Sequence, residues 1–291
     1  MSTILVTGAT GKVGRHVVTG LLEHGADVRA LVRHPLTAGL PDAVAIVEGA
    51  LEDPAAVATA AAGTDAVFLL WPTFDARGAG AVVDALAARA GHLVYLSAAR
   101  LQHDETGVIE GVWADVERAI ERSGATWTFV RAGGFAANTL EWAEQIRVGD
   151  TVRIPHPDAA RSLVHERDIA DVAVRALLER DLAGRSVAVT GPEVLTQREQ
   201  VAAIGAAIGR ELRVEAQPPD EARRTYTTMM GEQGADAALA HWATLVEAPE
   251  RATTDVERVT GHPARPFADW AREHAEDFTR SPTTPSTRPR P

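Results

Sequence analysis

The sequence contains no cysteine. Disulfides, thiolate nucleophiles and cysteine-ligated zinc or iron–sulfur sites are therefore excluded. Positive charge is also scarce, because 29 lysines and arginines stand against 40 aspartates and glutamates, a formal net charge of -11. The resulting field repels polyanions, so we expect no nucleic-acid partner. The 10 histidines include no pair spaced i, i+4, and we expect no metal site.

Long apolar runs are absent as well. No stretch approaches the roughly 20 residues of a transmembrane helix, so we expect no membrane span. The first apolar run begins at residue 4, which leaves no room for a signal peptide, and we expect a cytoplasmic protein. With 45% hydrophobic residues over 291 positions, the chain can bury one large core, or a core plus a smaller lobe.

Short apolar runs alternate with helical segments through the first half of the chain. The first helical segment places Val13, Val17 and Leu21 on one face and is closed by Gly25. Strands that are apolar on both faces and separated by helices indicate a parallel sheet covered on both sides. We therefore predict a doubly wound α/β fold. The predicted strands are residues 4–7, 28–32, 44–47, 66–71, 93–97 and 126–130.

The stretch TGATGKVGRH carries three glycines, Gly8, Gly11 and Gly14, three residues apart. It follows an apolar strand and opens an amphipathic helix, which is the arrangement that places a pyrophosphate on a helix N-terminus. Gly8 permits the tight turn, Gly11 lets the backbone approach the phosphates, and Gly14 lets the helix pack against the strand. We predict a dinucleotide-binding loop; the alternative is an ordinary strand–helix turn.

Several further stretches resemble a known family. TGATGKVGRHV, ALVRHP, VFLLWP, VYLSAA and SGATWTFVRAGGF together look like the NmrA-like, atypical branch of the short-chain dehydrogenase/reductase superfamily. The resemblance implies an extended Rossmann fold that binds NAD(P)(H) at the carboxyl ends of the strands. It also implies a small C-terminal α/β lobe that binds a small-molecule substrate, in a monomer or a homodimer.

The alternation of strands and helices loosens in the second half of the chain. Thr196 and Glu199 have the spacing of a capping box, which predicts the start of a helix that ends near Gly209. Two or three further helices are expected after it, the last over 267–278. Before it, we predict a helix over 168–179 and a strand over 186–190.

These elements suggest a division of the chain into domains. Residues 1–150, completed by about 164–192, are predicted to form the NAD(P)-binding Rossmann domain. Residues 151–279 are predicted to form the substrate lobe. The proline-rich segment 280–291 lacks a core face, and we predict a disordered tail.

The end of the second predicted strand decides between the two dinucleotides. An acidic residue there would bind the ribose 2′-hydroxyl and repel a 2′-phosphate. The position holds Arg33, whose guanidinium can bind a phosphate, and Lys12 adds a second cation in the loop. We therefore favour NADP(H) over NAD(H), although Arg33 and His34 also fit a solvated charged corner. Ala50 occupies a position where the family often has an acidic residue that holds the adenine amine.

The resemblance assigns residues at the strand ends to the cofactor and mostly aromatic residues to the substrate. The cofactor residues are Gly8, Thr10, Gly11, Lys12, Val13, Gly14, Arg33, Leu51, Leu70, Trp71, Ser97 and Gly133. The substrate residues are Trp71, Trp113, Phe135, Asn138 and Tyr226.

The catalytic tyrosine and lysine of ordinary members of the superfamily have no counterpart here. Those members protonate the developing alkoxide with a tyrosine whose pKa is lowered by a lysine four residues later. The register against SGATWTFVRAGGF puts Ile109 and Trp113 at those places, on one predicted helix face. The chain has only two tyrosines, Tyr95 and Tyr226, and its one lysine is Lys12.

Three residues are weak candidates for the proton donor. Ser97 occupies the place of the superfamily's active-site serine, at the predicted end of the fifth strand, but a hydroxyl there can equally cap a turn. His103 follows on the next loop, where a single histidine is more often exposed to solvent. Tyr226 is the third candidate, in the C-terminal lobe.

Two classes of function agree with these observations. The first is an NADP(H)-dependent oxidoreductase acting on a small, apolar, conjugated carbonyl or quinoid compound. Such acceptors stabilise negative charge themselves, so the usual tyrosine and lysine are not required. The second is a non-catalytic NAD(P)(H)-binding redox sensor that passes the redox state to a protein partner. We favour the enzyme because of the C-terminal lobe and the aromatic residues.

Overall fold

The computed structural model of the chain describes residues 2–101 and 107–279. His103 and the predicted tail, 280–291, lie outside these ranges. The chain divides into two compact units, and residues 134–150, predicted to belong to the first domain, lie in the second unit. The first unit comprises Met1–Gly133, Val164–Pro192 and Thr253–Ala264, and the second comprises Gly134–Leu163, Glu193–Ala252 and Arg265–Pro291.

The strands are short, as the apolar runs of the sequence predict. They are β1 (Thr3–Thr7), β2 (Asp27–Val32), β3 (Ala45–Glu48), β4 (Ala66–Leu70), β5 (His92–Arg100), β6 (Gly107–Val108), β7 (Thr126–Ala132), β8 (Thr151–Ile154), β9 (Ala160–Arg161), β10 (Arg185–Val189), β11 (Leu195–Thr196) and β12 (Arg213–Ala216).

Helices connect most of these strands. The α-helices are α1 (Gly14–Glu23), α2 (Pro54–Ala61), α3 (Ala79–Ala87), α4 (Val112–Arg122), α5 (Ala143–Val148), α6 (Glu166–Leu178), α7 (Gln197–Ile208), α8 (Pro219–Glu247), α9 (Asp255–Thr260), α10 (Phe267–Glu273) and α11 (Ala275–Thr279). Pro35–Thr37 and Ala136–Trp142 form 3-10 helices. None of the helices in the described ranges combines the length and the apolar character needed to cross a bilayer.

The main sheet of the first unit confirms the predicted doubly wound fold. Its strands run in the order β10-β7-β5-β4-β1-β2-β3, and all six neighbouring pairs are parallel. The chain order reverses between β1 and β4, which therefore flank the topological switch point. Ligands of open α/β sheets bind in the crevice outside the carboxyl ends of the strands at such a point.

Burial explains why the central strands are apolar throughout. Val67, Phe68 and Leu69 of β4 are all fully buried, as are Ile4 and Leu5 of β1, because helices cover both faces of the sheet. Removing such side chains from water provides most of the free energy that holds the unit together.

The fifth strand is longer than predicted, and it changes the position of Ile109. β5 continues beyond Ser97 to Arg100 and pairs with the short antiparallel strand β6. The N–H of Ile109 donates to the carbonyl of Ala98 at 3.0 Å, and α4 begins only at Val112. Ile109 is therefore in extended chain, and the prediction that it shares a helix face with Trp113 is wrong. The pairing partner of β5, β6, is only two residues long, which is too short to show the pattern of apolar residues that predicts a strand.

The second unit is built around Trp270, whose side chain is fully buried. Its ring stacks on that of Phe267 at a centroid distance of 5.4 Å and on His274 at 4.4 Å. The single helix predicted over 267–278 is two helices, α10 and α11. His274 separates the two helices with a non-helical backbone at φ -97° and ψ 11°, and its Nδ1 lies 2.8 Å from the Asp277 carboxylate.

Helix α8 consists of two arms that meet at Gly231, where φ is 77°. In a straight helix, residues 13 apart would be separated by about 20 Å. The Arg223 guanidinium nevertheless donates to both carboxylate oxygens of Asp236, at 2.8 and 3.1 Å. The two arms therefore fold back on each other. This hairpin was not predicted, because only side chains far apart in sequence reveal it.

His92 makes the fold sensitive to acid. Its ring is fully buried at the start of β5, and Nε2 contacts the Thr128 hydroxyl at 3.0 Å. Burial, assisted by the positive charge of Arg180, lowers the pKa of His92 to about 4. Because an unfolded histidine titrates near pH 6.5, this contribution to stability is complete above that pH and is lost as the pH falls towards 4.

We therefore expect wild-type protein to lose about 2 to 3 kcal/mol more stability than His92→Gln between pH 7 and pH 4.5. Urea unfolding of both proteins at the two pH values measures the difference. Equal pH dependence of the two proteins would show that His92 is protonated as easily in the folded state as in the unfolded chain.

Candidate cofactor site

The glycine-rich stretch forms a tight turn between β1 and α1. Gly8 has a φ of 65°, a conformation that side chains with a Cβ rarely adopt. The N–H of Gly11 donates to the carbonyl of Gly8 at 2.9 Å and closes the turn. Arg15 Nε donates to the carbonyl of Thr10 at 2.9 Å, which fixes the far side of the loop.

Gly14 is packed more tightly than the other two glycines. A Cβ at this position would lie 2.1 Å from the carbonyl oxygen of Gly8 and 2.9 Å from the Cα of Ala9. All the nearest atoms belong to the backbone, so none can rotate out of the way. A Cβ at Gly11 would meet only the Gly8 oxygen, at 3.2 Å. The first turn of α1 therefore lies directly against the loop.

Helix α1 begins without a capping side chain. Val13 occupies the N-cap position and makes no side-chain cap, and the first turn carries no acidic residue. The positive end of the helix dipole is therefore not neutralised within α1, which is the usual feature of a phosphate-binding helix N-terminus.

A cleft of about 260 Å³ opens beside this loop. It lies over the carboxyl ends of β1, β2 and β4, at the switch point of the sheet. Thr7 joins two of these strands, because its hydroxyl donates to the carbonyl of Phe68 at 3.2 Å and accepts from the N–H of Leu70 at 2.9 Å. The lining residues are Thr7, Gly8, Thr10, Leu31, Val32, Arg33, Gly49, Leu51, Glu52, Leu70, Pro72 and Thr73.

Five of the residues assigned to the cofactor from sequence therefore line one cleft: Gly8, Thr10, Arg33, Leu51 and Leu70. The other seven do not line it. Gly11, Lys12, Val13 and Gly14 continue the glycine loop into α1, Trp71 follows β4, Ser97 lies within β5, and Gly133 follows β7.

Arg33 is the cationic side chain of the cleft. It directly follows β2, is exposed, and its guanidinium makes no hydrogen bond or ion pair with the described residues. An exposed cation at the end of the second strand is suited to bind a phosphate on the ribose. The planar guanidinium can bind two phosphate oxygens at once.

Glu52 is a cleft residue that the sequence did not reveal. It is exposed and lines the cleft beside Leu51, two residues after the position of Ala50 where the family often has an acidic side chain. The adjacent Asp53 is occupied differently, because its carboxylate accepts the N–H of Ala55 at 2.9 Å and caps α2. Of the two acidic residues, Glu52 is the one available to a ligand. No periodic signal distinguishes it from a solvated loop residue.

Ser97 is buried in the middle of β5 rather than at its end. Its side chain is 3% exposed, and its hydroxyl has no hydrogen-bond partner among the residues that the structure describes. A buried hydroxyl without a partner is costly and is usually explained by function or by a group that binds there. Its neighbour in the sheet is Arg131, which is itself bound to the Glu117 carboxylate at 2.9 and 2.6 Å.

Two aromatic residues assigned to the substrate belong to the first unit. Trp71 and Trp113 are partly buried against its core. The residue four positions after Trp113 on α4 is Glu117, whose carboxylate is held by Arg131. An indole and a paired carboxylate therefore occupy this face of the helix.

The two tyrosines have different environments. Tyr95 is fully buried in the core of the first unit, and burial, followed by the nearby Glu117 carboxylate, raises its pKa. Tyr226 lies in the second unit, where burial and the Glu141 carboxylate raise its pKa to about 12. Both phenols therefore stay protonated at neutral pH and are weak acids.

The remaining substrate residues assigned from sequence are Phe135, Asn138 and Tyr226, all in the second unit. Phe135 precedes the 3-10 helix Ala136–Trp142 and is partly buried, whereas Asn138 is exposed. Their assignment to the substrate stays a prediction.

Among the residues that the structure describes, the first unit holds one group of potential metal ligands. Asp168, Asp171 and His262 each offer one ligand atom, and these atoms lie within 4.8 Å of one another. His262 Nε2 is 3.3 Å from the Asp171 carboxylate, and its Nδ1 is 3.0 Å from the carbonyl of Pro263. His262 Nε2 thus contacts another member of the same group, and the expectation that the chain has no metal site stays a prediction.

A model of the NmrA-like family matches residues 1–264. The chain belongs to the NmrA-like family. The resemblance found in the sequence motifs is thereby confirmed, and it extends well beyond the glycine loop to α9. Membership agrees with the switch-point cleft, which is where the family's fold places its ligand.

Two relatives match this NmrA-like protein over nearly their whole length. A (4-alkanoyl-5-oxo-2,5-dihydrofuran-3-yl)methyl phosphate reductase of Streptomyces griseus subsp. griseus is 42% identical over 94% of this chain and 99% of its own. An NAD(P)H azoreductase of Xenophilus azovorans is 34% identical, with the same shares covered. The fold is shared with the triphenylmethane reductase of Citrobacter sp., solved with NADP(H), at 19% identity, a TM-score of 0.78 and shares of 94% and 99%.

Proposed function

We propose that this protein is an NADP(H)-dependent reductase of small conjugated acceptors. The observation that carries the proposal is the cleft at the switch point, where the glycine loop lies together with the guanidinium of Arg33, which has no partner in the described part of the chain. Two relatives that match almost end to end are named as reductases, and one of these names includes NAD(P)H. These names support a redox role over a purely structural one.

The residues of the first unit fit the parts of this cofactor. The absence of a Cβ at Gly11 would let the backbone approach the phosphates, and the uncapped start of α1 would hold the pyrophosphate. Arg33 would bind the 2′-phosphate, and Glu52 would accept a hydrogen bond from the adenine amine. Once bound, the cofactor would supply a hydride, and the rest of the chemistry depends on the acceptor and the protein.

The acceptor named for the Streptomyces relative explains why a strong acid is not needed. Its ring carbon–carbon double bond is conjugated with both the ring carbonyl and the alkanoyl carbonyl. A hydride added to the ring carbon that bears the phosphate-ester methyl group leaves the electron pair of the double bond on the carbon between the two carbonyls. Both oxygens then share the negative charge, and a proton completes the reduction. An azo group can likewise hold the charge on nitrogen.

The proton donors of this chain are consistent with such an acceptor. The single lysine, Lys12, belongs to the glycine loop, Tyr95 is a core residue, and Tyr226 has a pKa of about 12. The remaining proton sources are the hydroxyl of Ser97, which lacks a partner among the described residues, solvent water, and His103, which lies outside the described ranges. None is a strong acid, so we propose that the substrate must stabilise its own anion.

Matched pairs of acceptors test this proposal. We expect cyclohex-2-enone and a 4-alkanoyl-5-oxo-2,5-dihydrofuran-3-ylmethyl phosphate to be reduced with kcat/KM at least about 100-fold above cyclohexanone, a difference of about 2.7 kcal/mol in transition-state stabilisation. The measurement follows the fluorescence of NADPH during incubation with each compound.

Tyr226→Phe is the control for a hidden acid. We expect it to keep turnover of the best acceptor within about tenfold of wild type, a cost of at most about 1.4 kcal/mol. Turnover of cyclohexanone at the same rate as the enone would contradict the proposed acceptor class. Tight NADPH binding without turnover of any acceptor would instead support the redox sensor, which acts through a protein partner.

A further inference from the structure

Several hydrogen bonds in the loop between β4 and α3 converge on Asp75. The indole Nε1 of Trp71 donates to the carbonyl of Asp75 at 2.9 Å, and the hydroxyl of Thr73 donates to the same oxygen at 2.8 Å. The Asp75 carboxylate accepts the N–H of Arg77 at 2.9 Å and also binds its guanidinium. The residue between Thr73 and Asp75 is therefore presented by an ordered turn.

That residue is Phe74, whose side chain is 88% exposed. Its ring contacts Trp113, with 5.9 Å between centroids and 81° between planes. Pro72 and Thr73, which precede Phe74, line the cleft at the switch point. The two aromatic rings therefore stand beside the proposed cofactor cleft, on the carboxyl side of the sheet.

An edge-to-face pair leaves the faces of one ring uncovered by its partner. In this geometry the edge of one ring covers a face of the other, while the faces of the first ring stay open to a third group. The face of an aromatic ring is electron-rich, so it attracts flat, electron-poor molecules such as quinones, azo compounds and acyl furanones. Addition of a hydride makes such a molecule less electron-poor, and a furanone or enone also loses planarity. The same wall would therefore hold the product more weakly.

We propose that Phe74 and Trp113 form an aromatic wall that binds the flat conjugated part of the acceptor, and that Phe74 determines the preference for ring-shaped acceptors. This inference rests on the proposed reductase function and specifies the substrate class of the same site. Trp113 was assigned to the substrate from sequence, whereas Phe74 was not. The exposure of Phe74 means that its replacement leaves the core intact.

Kinetics of Phe74→Ala with two acceptors test the wall. We expect the KM for a two-ring naphthoquinone to rise about tenfold with kcat within about twofold of wild type, because the lost contact binds but does not react. The KM for an acyclic enone should change less than about threefold, because that acceptor is too small to stack. Phe74→Tyr, which keeps the ring, should retain wild-type values. An unchanged KM for the naphthoquinone in Phe74→Ala would overturn the proposal.

Two controls separate this inference from the reductase proposal. Val148→Ala removes a similarly exposed apolar side chain, 83% exposed, from the second unit and should change neither KM. Calorimetric titration of the naphthoquinone without cofactor measures binding independently of turnover. If no acceptor is reduced but Phe74→Ala still weakens naphthoquinone binding about tenfold, the result supports the aromatic wall and contradicts the reductase proposal. Binding unaffected by the substitution overturns the wall alone.

A double variant asks whether both rings contact the same part of the acceptor. Phe74→Ala and Trp113→Ala should be non-additive for naphthoquinone binding, because removing one ring disorders the other. Strict additivity would show that the two side chains act independently, and that they do not form one wall.

Discussion

Replacing Gly14 by alanine is expected to weaken NADPH binding at least about 100-fold, or about 2.7 kcal/mol. The added Cβ would lie 2.1 Å from the carbonyl oxygen of Gly8 and 2.7 Å from its carbon, and both are backbone atoms. The turn must therefore move away from the start of α1, where the pyrophosphate is proposed to bind. Calorimetric titration of NADPH into both proteins measures the loss.

Gly80→Ala is the matched control for this substitution. Gly80 is also a helical glycine, in the first turn of α3, but no heavy atom lies within 4 Å of a Cβ built there. Alanine is a better helix former than glycine, so this variant should bind NADPH as wild type does and melt no lower.

Gly11→Ala distinguishes a lost site from a lost fold. Its Cβ would meet only the Gly8 oxygen at 3.2 Å, so the loop can keep its shape while the methyl group obstructs the phosphates. We expect weakened NADPH binding with a melting temperature near that of wild type. If Gly14→Ala and Gly11→Ala both bound NADPH normally, the glycines would form only a strand–helix turn.

The sequence predicts the sheet well because both of its faces are buried. Continuous apolar runs follow directly from that burial, and the observed strands differ from the predicted ones by only a few residues at their ends. The capping box is also a local signal. Both of its hydrogen bonds are present, between Thr196 and Glu199, and α7 ends at Ile208 as expected from Gly209.

The parts that could not be predicted depend on contacts between distant residues. Strand β6 is two residues long and exists because Ala99 and Arg100 pair with it. The hairpin of α8 bends at Gly231 and brings together Arg223 and Asp236, which lie on different arms. Neither interaction leaves a period in the sequence, so a method that relies on apolar spacing finds neither.

The same distinction applies to the site. Gly8, Arg33 and Leu70 follow or end parallel strands, and the carboxyl ends of such strands meet at one edge, so their proximity could be predicted. Glu52 and Phe74 lie in loops whose paths depend on local hydrogen bonds. They became recognisable only from the shape of the cleft and from the exposed phenyl ring.

Arg33→Asp is expected to reverse the choice of dinucleotide. In wild type we expect NADPH to bind at least about tenfold more tightly than NADH at low salt, because the exposed guanidinium of Arg33 lines the cleft and would bind the 2′-phosphate. Aspartate would repel that phosphate and accept a hydrogen bond from the 2′-hydroxyl of NADH instead. The ratio of the two dissociation constants, measured by calorimetry, should therefore change by at least about 100-fold between the two proteins.

Arg89→Asp is the matched control, because it makes the same change in net charge at an exposed arginine that has no partner among the described residues and does not line the cleft. It should leave the ratio near its wild-type value. Raising the salt concentration should reduce both the preference of wild type for NADPH and that of Arg33→Asp for NADH, because the attraction of the 2′-phosphate to arginine and its repulsion by aspartate are both interactions between exposed charges. Equal affinities of wild type for NADPH and NADH at low salt would show that Arg33 is a solvated surface residue with no role in binding the 2′-phosphate. If Arg89→Asp changed the ratio of dissociation constants as much as Arg33→Asp does, the preference would come from the electrostatic field of the whole protein.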